Sequence, residues 1–311
     1  MARAITLIES GRPQDRDAAR ALIAALPDRP ALRIGLSGTP GVGKSTFIEA
    51  FGLMLIAQGH RVAVLAVDPS SARSGGSILG DKTRMEQLSR APEAFIRPSP
   101  SQTALGGVAR RTREAIRLCE AAGYDIVLVE TVGVGQSETM VADMTDLFLL
   151  LLAPAGGDEL QGVKRGIMEV ADLLLINKAD GDLKATAIRT VADYAGALRL
   201  LRKRGQDPEG WPKALTVSAT EGSGLAEAWG EMQTLATWRD EQGILDSQRR
   251  AQALGWFRQE LEAGLLQRLR DNPDVAVELP QLQEKVTSGA LTPDAAAGLA
   301  LNLFLDSVKH P

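Results

Sequence analysis

The sequence predicts an α/β protein built on a mainly parallel, doubly wound sheet, with a helical extension before it and a helical region after it. Three observations carry this. Short runs rich in Val, Leu and Ile alternate with amphipathic stretches of helical spacing between about residues 32 and 240. Those runs are apolar throughout rather than alternating, as expected of strands covered on both faces. After about residue 243 the strand signals stop and only helical patterns remain.

Residues 13–26 place Ala18, Leu22, Ile23 and Leu26 at helical spacing, so a helical extension over residues 1–30 precedes the first strand. The strand candidates are Leu32–Leu36, Val62–Val67, Ala94–Ile96, Ile126–Val129, Leu147–Leu152, Leu173–Ile176 and Ala214–Val217. Helical patterns lie between them at Ser45–Gln58, Val108–Ala121, Leu183–Lys203 and Gly224–Asp240. These elements define a sheet domain over residues 31–242. In the remaining region, 243–311, Gln248–Arg270 carries Leu254, Phe257, Leu261, Leu265 and Leu269 on one face, followed by helical patterns at Pro280–Ser288 and Pro293–Val308. That apolar stripe needs a partner, either the sheet domain or a second copy of the chain.

Composition narrows the function classes. A net charge of −4 gives no global attraction to nucleic acid or to an anionic membrane. Arg110, Arg111, Arg113 and Arg117 lie close together and read as a solvated helix face. Cys119 is the one cysteine, so no intrachain disulfide forms, and its helical context reads as a buried small apolar residue. With only His60 and His310 besides, a soft-metal site of His and Cys is not expected. Met1–Ser10 is too short and interrupted for a signal peptide. The longest apolar run, Leu147–Pro154, is strand-length and falls well short of a membrane span. These features point to the cytoplasm, or to the mitochondrial matrix in a eukaryote.

Gly38-Thr39-Pro40-Gly41-Val42-Gly43-Lys44-Ser45 matches the phosphate-binding pattern G-x-x-x-x-G-K-[ST] in full. It follows a predicted strand and opens a predicted helix, the context in which the match has mechanical meaning. The glycines let backbone N–H groups turn toward a phosphate, and the helix N-terminus adds partial positive charge. Lys44 is placed to bridge the β- and γ-phosphates, Ser45 to bind Mg²⁺ and Thr46 to reach the α-phosphate.

Asn177-Lys178-Ala179-Asp180 follows the strand Leu173–Ile176 and reads as a guanine-selective loop. The Asp180 carboxylate can accept from guanine N1–H and the 2-amino group; adenine offers neither, and the carboxylate would be left unpaired. The Lys178 stem is placed along the base face, and the backbone N–H groups of Ser218 and Ala219 are placed toward guanine O6. Three acidic positions serve Mg²⁺ and the γ-phosphate: Asp68, Asp81 and Glu130. Asp68 and Glu130 end strands, on the edge where open α/β sheets bind ligands. Asp81 also reads as a helix N-cap. Glu130-x-x-Gly133 is a switch-like spacing in which the Gly133 N–H senses the γ-phosphate.

At these residues the chain resembles the MeaB/ArgK/MMAA family of P-loop GTPases, over about residues 30 to 240. The resemblance also rests on Gly80-Asp81-Lys82-Thr83-Arg84-Met85, on Gln136-Ser137-Glu138 after Gly135, and on Gly157-Asp158-Glu159-Leu160-Gln161-Gly162-Val163-Lys164-Arg165-Gly166. It implies a homodimeric GTPase that gates adenosylcobalamin loading and protects or reactivates an adenosylcobalamin-dependent acyl-CoA mutase, with GTP or GDP as ligand and Mg²⁺ as cofactor. It implies that Ala153–Lys164 is a switch loop reporting to the mutase, with Gly157, Asp158, Glu159, Gln161 and Lys164 in it. It implies that the 243–311 region dimerises. The chain departs from the family at Ala153-Pro154-Ala155-Gly156-Gly157, where relatives are richer in glycine. No D-x-H-x-x-G cobalamin motif occurs, so no directly bound cobalamin is expected, and any cobalamin effect acts through the partner.

In-line attack of water on the γ-phosphate is the expected chemistry, with Lys44, Glu130, Gly133 and Lys164 as the catalytic set. No glutamine directly follows Gly133, so slow intrinsic hydrolysis is expected, with Lys164 or Arg110 adding positive charge once a mutase orders the switch loops. Two other readings use the same loop: a kinase that phosphorylates a transport-system protein, and a metal-insertion GTPase. The missing Cys and His clusters argue against the second. A protein-targeting GTPase would need a methionine-rich domain, and only seven Met are scattered through the chain.

Overall fold

The computed structural model describes residues 1–10, 12–67, 85–97, 105–131, 137–154, 165–200, 205 and 207–309. The chain divides into two compact units, Met1–Gln252 and Ala253–Pro311.

The first unit opens with α1 (Ala2–Glu9) and α2 (Pro13–Ala24). Then come β1 (Leu32–Gly38), α3 (Lys44–Ala57), β2 (Val62–Val67), α4 (Glu86–Arg90), β3 (Ala94–Arg97), α5 (Leu105–Ala121) and β4 (Ile126–Thr131). It continues with α6 (Ser137–Ala142), β5 (Leu147–Leu152), α7 (Arg165–Val170), β6 (Leu173–Ile176), α8 (Lys184–Leu200), β7 (Lys213–Thr216) and α9 (Leu225–Glu241). The strands form one sheet in the order β3-β2-β4-β1-β5-β6-β7, with every pairing parallel. Parallel neighbours need crossovers, and the helices between strands supply them.

The central strands are buried on both faces, and successive side chains serve opposite layers. Ile34, Leu36, Val62, Val64, Leu128 and Leu149 join one core cluster with Phe47, Ile48, Phe51, Leu55, Leu88, Trp229 and Met232, which come from α3, α4 and α9. Phe47 stacks on Phe51 at 5.3 Å, and Phe51 meets Trp229 edge-on at 5.9 Å. At Gly35, on the other side of β1, an added Cβ would stand 2.8–2.9 Å from Phe148, Thr145 and Val141. Glycine there lets α6 and its following turn lie directly on the strand.

The structure extends several expected strands. β1 runs to Gly38 because Ser37 and Gly38 still pair with Leu150 and Leu151 of β5. β4 includes Glu130 and Thr131, which pair with Ala66 and Val67. α1 precedes the expected N-terminal helix and buries Ile5 and Ile8. The arginines of α5 are not a solvated face: Arg113 is buried, Arg117 pairs with Asp28 and Glu120, and Arg110 pairs with Glu114. Neighbouring α1 and α2 cover part of that helix, which the arginine spacing did not reveal.

Cys119 is fully buried in α5, and burial pushes its thiol up to about 12, with the Glu120 carboxylate adding to the shift. A thiol held neutral and shielded does not react. Ellman's reagent is therefore expected to titrate no thiol in the native protein at pH 8 and one per chain in denaturant; fast native labelling would contradict this.

At the edge formed by the strand N-termini, acidic residues just before β5 and β6 anchor a charged network. Asp146 accepts from Arg33 N–H and from two guanidinium nitrogens of Arg249. Asp172 accepts from Phe148 N–H and from Arg239. Arg33 in turn pairs with buried Glu120 at 2.7 Å. Buried charges persist when paired and hydrogen-bonded in this way.

The last two turns of the first unit belong to α10 (Ile244–Asp271), which continues into the second unit with α11 (Pro273–Thr287) and α12 (Pro293–Lys309). In the second unit α11 and α12 pack through Leu282, Ala296 and Ala300. The stripe Leu254, Phe257, Leu261 and Leu265 on α10 is more than half exposed at each position. α11 starts seven residues earlier than its proline suggested. Asn272 caps Asp274 N–H and Val275 N–H, Pro273 takes the first turn, and Pro280 lies inside the helix.

Candidate nucleotide-binding site

The loop after β1 and the loops after β6 and β7 meet at the C-terminal edge of the sheet, where open α/β sheets place ligands. The sequence makes the first loop tight. At Gly38 an added Cβ would stand 2.3 Å from the Leu151 carbonyl oxygen of β5. Gly43, at φ 92°, caps α3, and its added Cβ would stand 2.8 Å from the Asn177 amide nitrogen. Only glycine meets both demands.

Lys44 is buried at the start of α3, and its ammonium donates to Gly38 O at 2.6 Å and Thr39 O at 3.3 Å. The cation therefore sits over the loop that the glycines shape. Val42 is buried, and Gly41, Ser45 and Thr46 complete the turn and the first helical residues. The first-turn amides of α3 have no partners within the helix, so they suit an oxyanion.

Asn177, Lys178, Asp180 and the loop after β7 come together, and they are tied to the loop after β1. Asn177 is buried; its amide nitrogen donates to Val42 O at 2.9 Å and its amide oxygen accepts from Ala219 N–H at 3.1 Å. Lys178 adopts φ 60°, and its ammonium donates to Gly41 O at 2.9 Å, which lays the side chain across the loop. Asp180 accepts from the Ser218 hydroxyl and from the Thr220 hydroxyl, the latter at 2.8 Å. Those two hydrogen bonds hold its carboxyl below the usual carboxylate range, with nearby Lys178 helping.

Two findings differ from the sequence reading. The Ser218 and Ala219 N–H groups, expected to face a base oxygen, have acceptors within the chain: Ser223 O at 2.9 Å and the Asn177 amide. Both groups shape the loop. Thr220 was missed, although its signal was a hydroxyl residue directly after Ser218-Ala219. So was the Thr131 hydroxyl, which donates to Ser37 at 2.9 Å and ties the buried ends of β4 and β1 beneath the phosphate loop.

Glu130 is buried at the end of β4, in register with Leu36 of β1. Asp68, Asp81, Gly133, Gly157, Asp158, Glu159, Gln161 and Lys164 lie outside the described residues. Among the described residues no three Asp, Glu, His or Cys side chains cluster as a metal site. Of the expected Mg²⁺ positions, the Ser45 hydroxyl and the Glu130 carboxylate are described. Both are hard oxygen donors at this one edge and suit Mg²⁺ in kind. No helix among the described residues is long and apolar enough to cross a membrane.

Comparison with known proteins identifies the family. Residues 1–274 match the family described as "Methylmalonyl Co-A mutase-associated GTPase MeaB". The chain is 51% identical over 317 residues to the Mus musculus "Methylmalonic aciduria type A homolog, mitochondrial", covering 98% of this chain and 76% of that one. It is 48% identical over 295 residues to "GTPase ArgK" of Escherichia coli, covering 94% and 88%. Among solved structures, "Crystal structure of LAO/AO transport system kinase" aligns with a TM-score of 0.72 at 40% identity, covering 99% of this chain and 92% of that one. A phosphate loop tied by Asn177 to the loop after β7, on a parallel sheet and with this likeness over nearly the whole length, places the chain in the MeaB family of P-loop GTPases.

Proposed function

We propose that this GTPase serves as a chaperone of an adenosylcobalamin-dependent acyl-CoA mutase, gating cofactor loading and protecting or reactivating the enzyme. The observation that carries the reading is the match over residues 1–274 to a family described by its association with methylmalonyl-CoA mutase. The name of the mouse relative supports the same link. The working unit is a homodimer assembled through residues 243–311, and the exposed stripe of Leu254, Phe257, Leu261 and Leu265 is the surface available for it.

Within this reading Lys44 and the first-turn amides of α3 hold the phosphates, and Asp180 selects guanine. Ser45, Asp68, Asp81 and Glu130 hold Mg²⁺, directly or through its waters. When bound, Mg²⁺ neutralises charge on the β- and γ-oxygens. Gly133 and the loop Gly157–Lys164, with Asp158, Glu159 and Gln161, report the nucleotide state to the mutase, and Lys164 adds positive charge to the reacting phosphoryl group.

The test is GTP turnover with and without an adenosylcobalamin-dependent acyl-CoA mutase. The expected result is a rise of at least ~10-fold, in keeping with the gain from one added positive charge at a transferring phosphoryl group. No change with any such mutase would sink the proposal. A second reading, a kinase acting on a transport-system protein, is favoured by the name of the solved structure above. Labelled γ-phosphate separates the two: release as inorganic phosphate fits the chaperone, and stable transfer to a protein fits the kinase.

A further inference from the structure

The turn after β7 delivers two hydroxyls to one oxygen. The Ser218 and Thr220 hydroxyls both donate to Asp180 Oδ2, the second at 2.8 Å, and Oδ1 accepts from neither. The two hydroxyl oxygens stand 3.1 Å apart. Hydrogen bonds to an ionised carboxylate are the stronger kind. Together they hold the Asp180 carboxyl below its ordinary range, Ser218 contributing most and Thr220 next.

The two donors are not held alike. Ser218 is fully buried, and its hydroxyl oxygen accepts from Glu221 N–H at 3.1 Å. Its N–H donates to Ser223 O and its carbonyl accepts from Gly222 N–H, each at 2.9 Å. Both its backbone and its side chain are therefore fixed. Gly224, at φ 75°, closes the turn against β7, where an added Cβ would stand 2.3 Å from Thr216 O. Thr220 is exposed in the middle of this closed turn. Its hydroxyl can leave Asp180 by rotation about a single bond, χ1, with the turn unchanged.

A carboxylate oxygen offers about two lone-pair sites. On Oδ2 both are engaged by hydroxyls. Guanine presents N1–H and the 2-amino group side by side, and parallel donors pair best one to each carboxylate oxygen. Oδ1 can take one of them at once. The other reaches Oδ2 only when a hydroxyl yields, and the one free to turn away is Thr220.

We infer that Thr220 is a specificity-determining residue: its hydroxyl holds the place of the second guanine donor on Asp180 and gives way to it. The inference rests on the reading of Asp180 as the guanine-selecting carboxylate. Hypoxanthine has N1–H but no 2-amino group, so it leaves the Thr220 bond intact. With guanine the site exchanges one donor for another, so it separates the two bases only weakly. Without the hydroxyl, the 2-amino group brings a donor that nothing else in the turn replaces.

Thr220→Val keeps the branched shape and removes the donor. Affinities of the full chain for guanosine, inosine and adenosine diphosphates are measured by calorimetry. The ratio of guanosine to inosine diphosphate affinity is expected to rise at least about fivefold over the parent, mostly through weaker inosine binding, as one hydrogen bond to a charged acceptor is lost to water. Thr220→Ser retains the hydroxyl and should stay within about twofold of the parent ratio. The inference is overturned if valine leaves the ratio unchanged, if valine lowers both affinities equally, or if serine behaves as valine does. In each case Thr220 does no more than hold the carboxylate in place, and guanine selection by Asp180 still stands. A parent that binds adenosine diphosphate as tightly as guanosine diphosphate would remove that selection, and the inference with it.

Discussion

Asp180→Asn is expected to weaken GDP and GTP binding by roughly 100-fold and to move preference toward xanthine nucleotides, because a site built to hydrogen-bond one base edge rejects an edge that does not match. The carboxylate accepts from Ser218 and Thr220 and remains open to the base. An amide in its place still accepts through oxygen, but its NH₂ faces the guanine 2-amino group donor to donor. Xanthine has a carbonyl there and restores the match. Competition of labelled GDP with guanosine and xanthosine diphosphates checks this; an unchanged guanine preference would contradict the assignment. The same hydrogen bonds set a pH dependence. The folded carboxyl lies below its ordinary value of 3.8. A depressed carboxyl contributes stability above its unfolded value and loses it as pH falls through the folded one. Nucleotide affinity should therefore hold from neutral pH down to the ordinary carboxylate range and fall only below it.

Arg239→Ala is expected to cost the first unit about 3–5 kcal/mol, the range for removing one member of a buried ion pair. Arg239 is almost wholly buried at the end of α9. Its guanidinium donates to Asp172 at 2.6 Å, to Asp207 at 2.5 Å and to Asp146 O at 2.9 Å. Burial alone would lower its pKa; the carboxylates of Asp172 and Asp207 more than offset this and raise it. Alanine would strand both carboxylates away from water. For a unit of this size the loss corresponds to a fall in Tm of about 10 °C. Lysine should rescue little, because one ammonium cannot reproduce a planar fork shared among three acceptors. Thermal unfolding of both variants tests this, and a Tm within 2–3 °C of the parent, well under the shift estimated above, would show that the network is dispensable.

The strands and the two ligand loops were legible because their signals are local. A β-branched run, G-x-x-x-x-G-K-S and N-K-x-D each occupy a few adjacent residues. β1 was read two residues short because Ser37 and Gly38 look like loop; only their pairing with β5 makes them strand. α11 was read late because Pro280 resembles a helix start, while the actual start is the Asn272-Pro273 pair seven residues before it. The long-range ties behind the ligand loops were out of reach. Asn177 meets Val42 across 135 positions and Arg249 meets Asp146 across 103, and no pattern in a single sequence pairs residues that far apart. Thr220 lay within reach, since it is two residues from Ser218.

Asn177 has a consequence for how a ligand is recognised. One buried amide presses on Gly43, holds the Val42 carbonyl and is itself held by the backbone after β7. The loop after β1 and the loops after β6 and β7, proposed to hold phosphate and guanine, are therefore joined into one body. A fragment that reaches only one loop gives up its own freedom of motion for half of the contacts. Pyrophosphate alone or guanosine alone then gains little, and the joined nucleotide gains more than the sum of its halves.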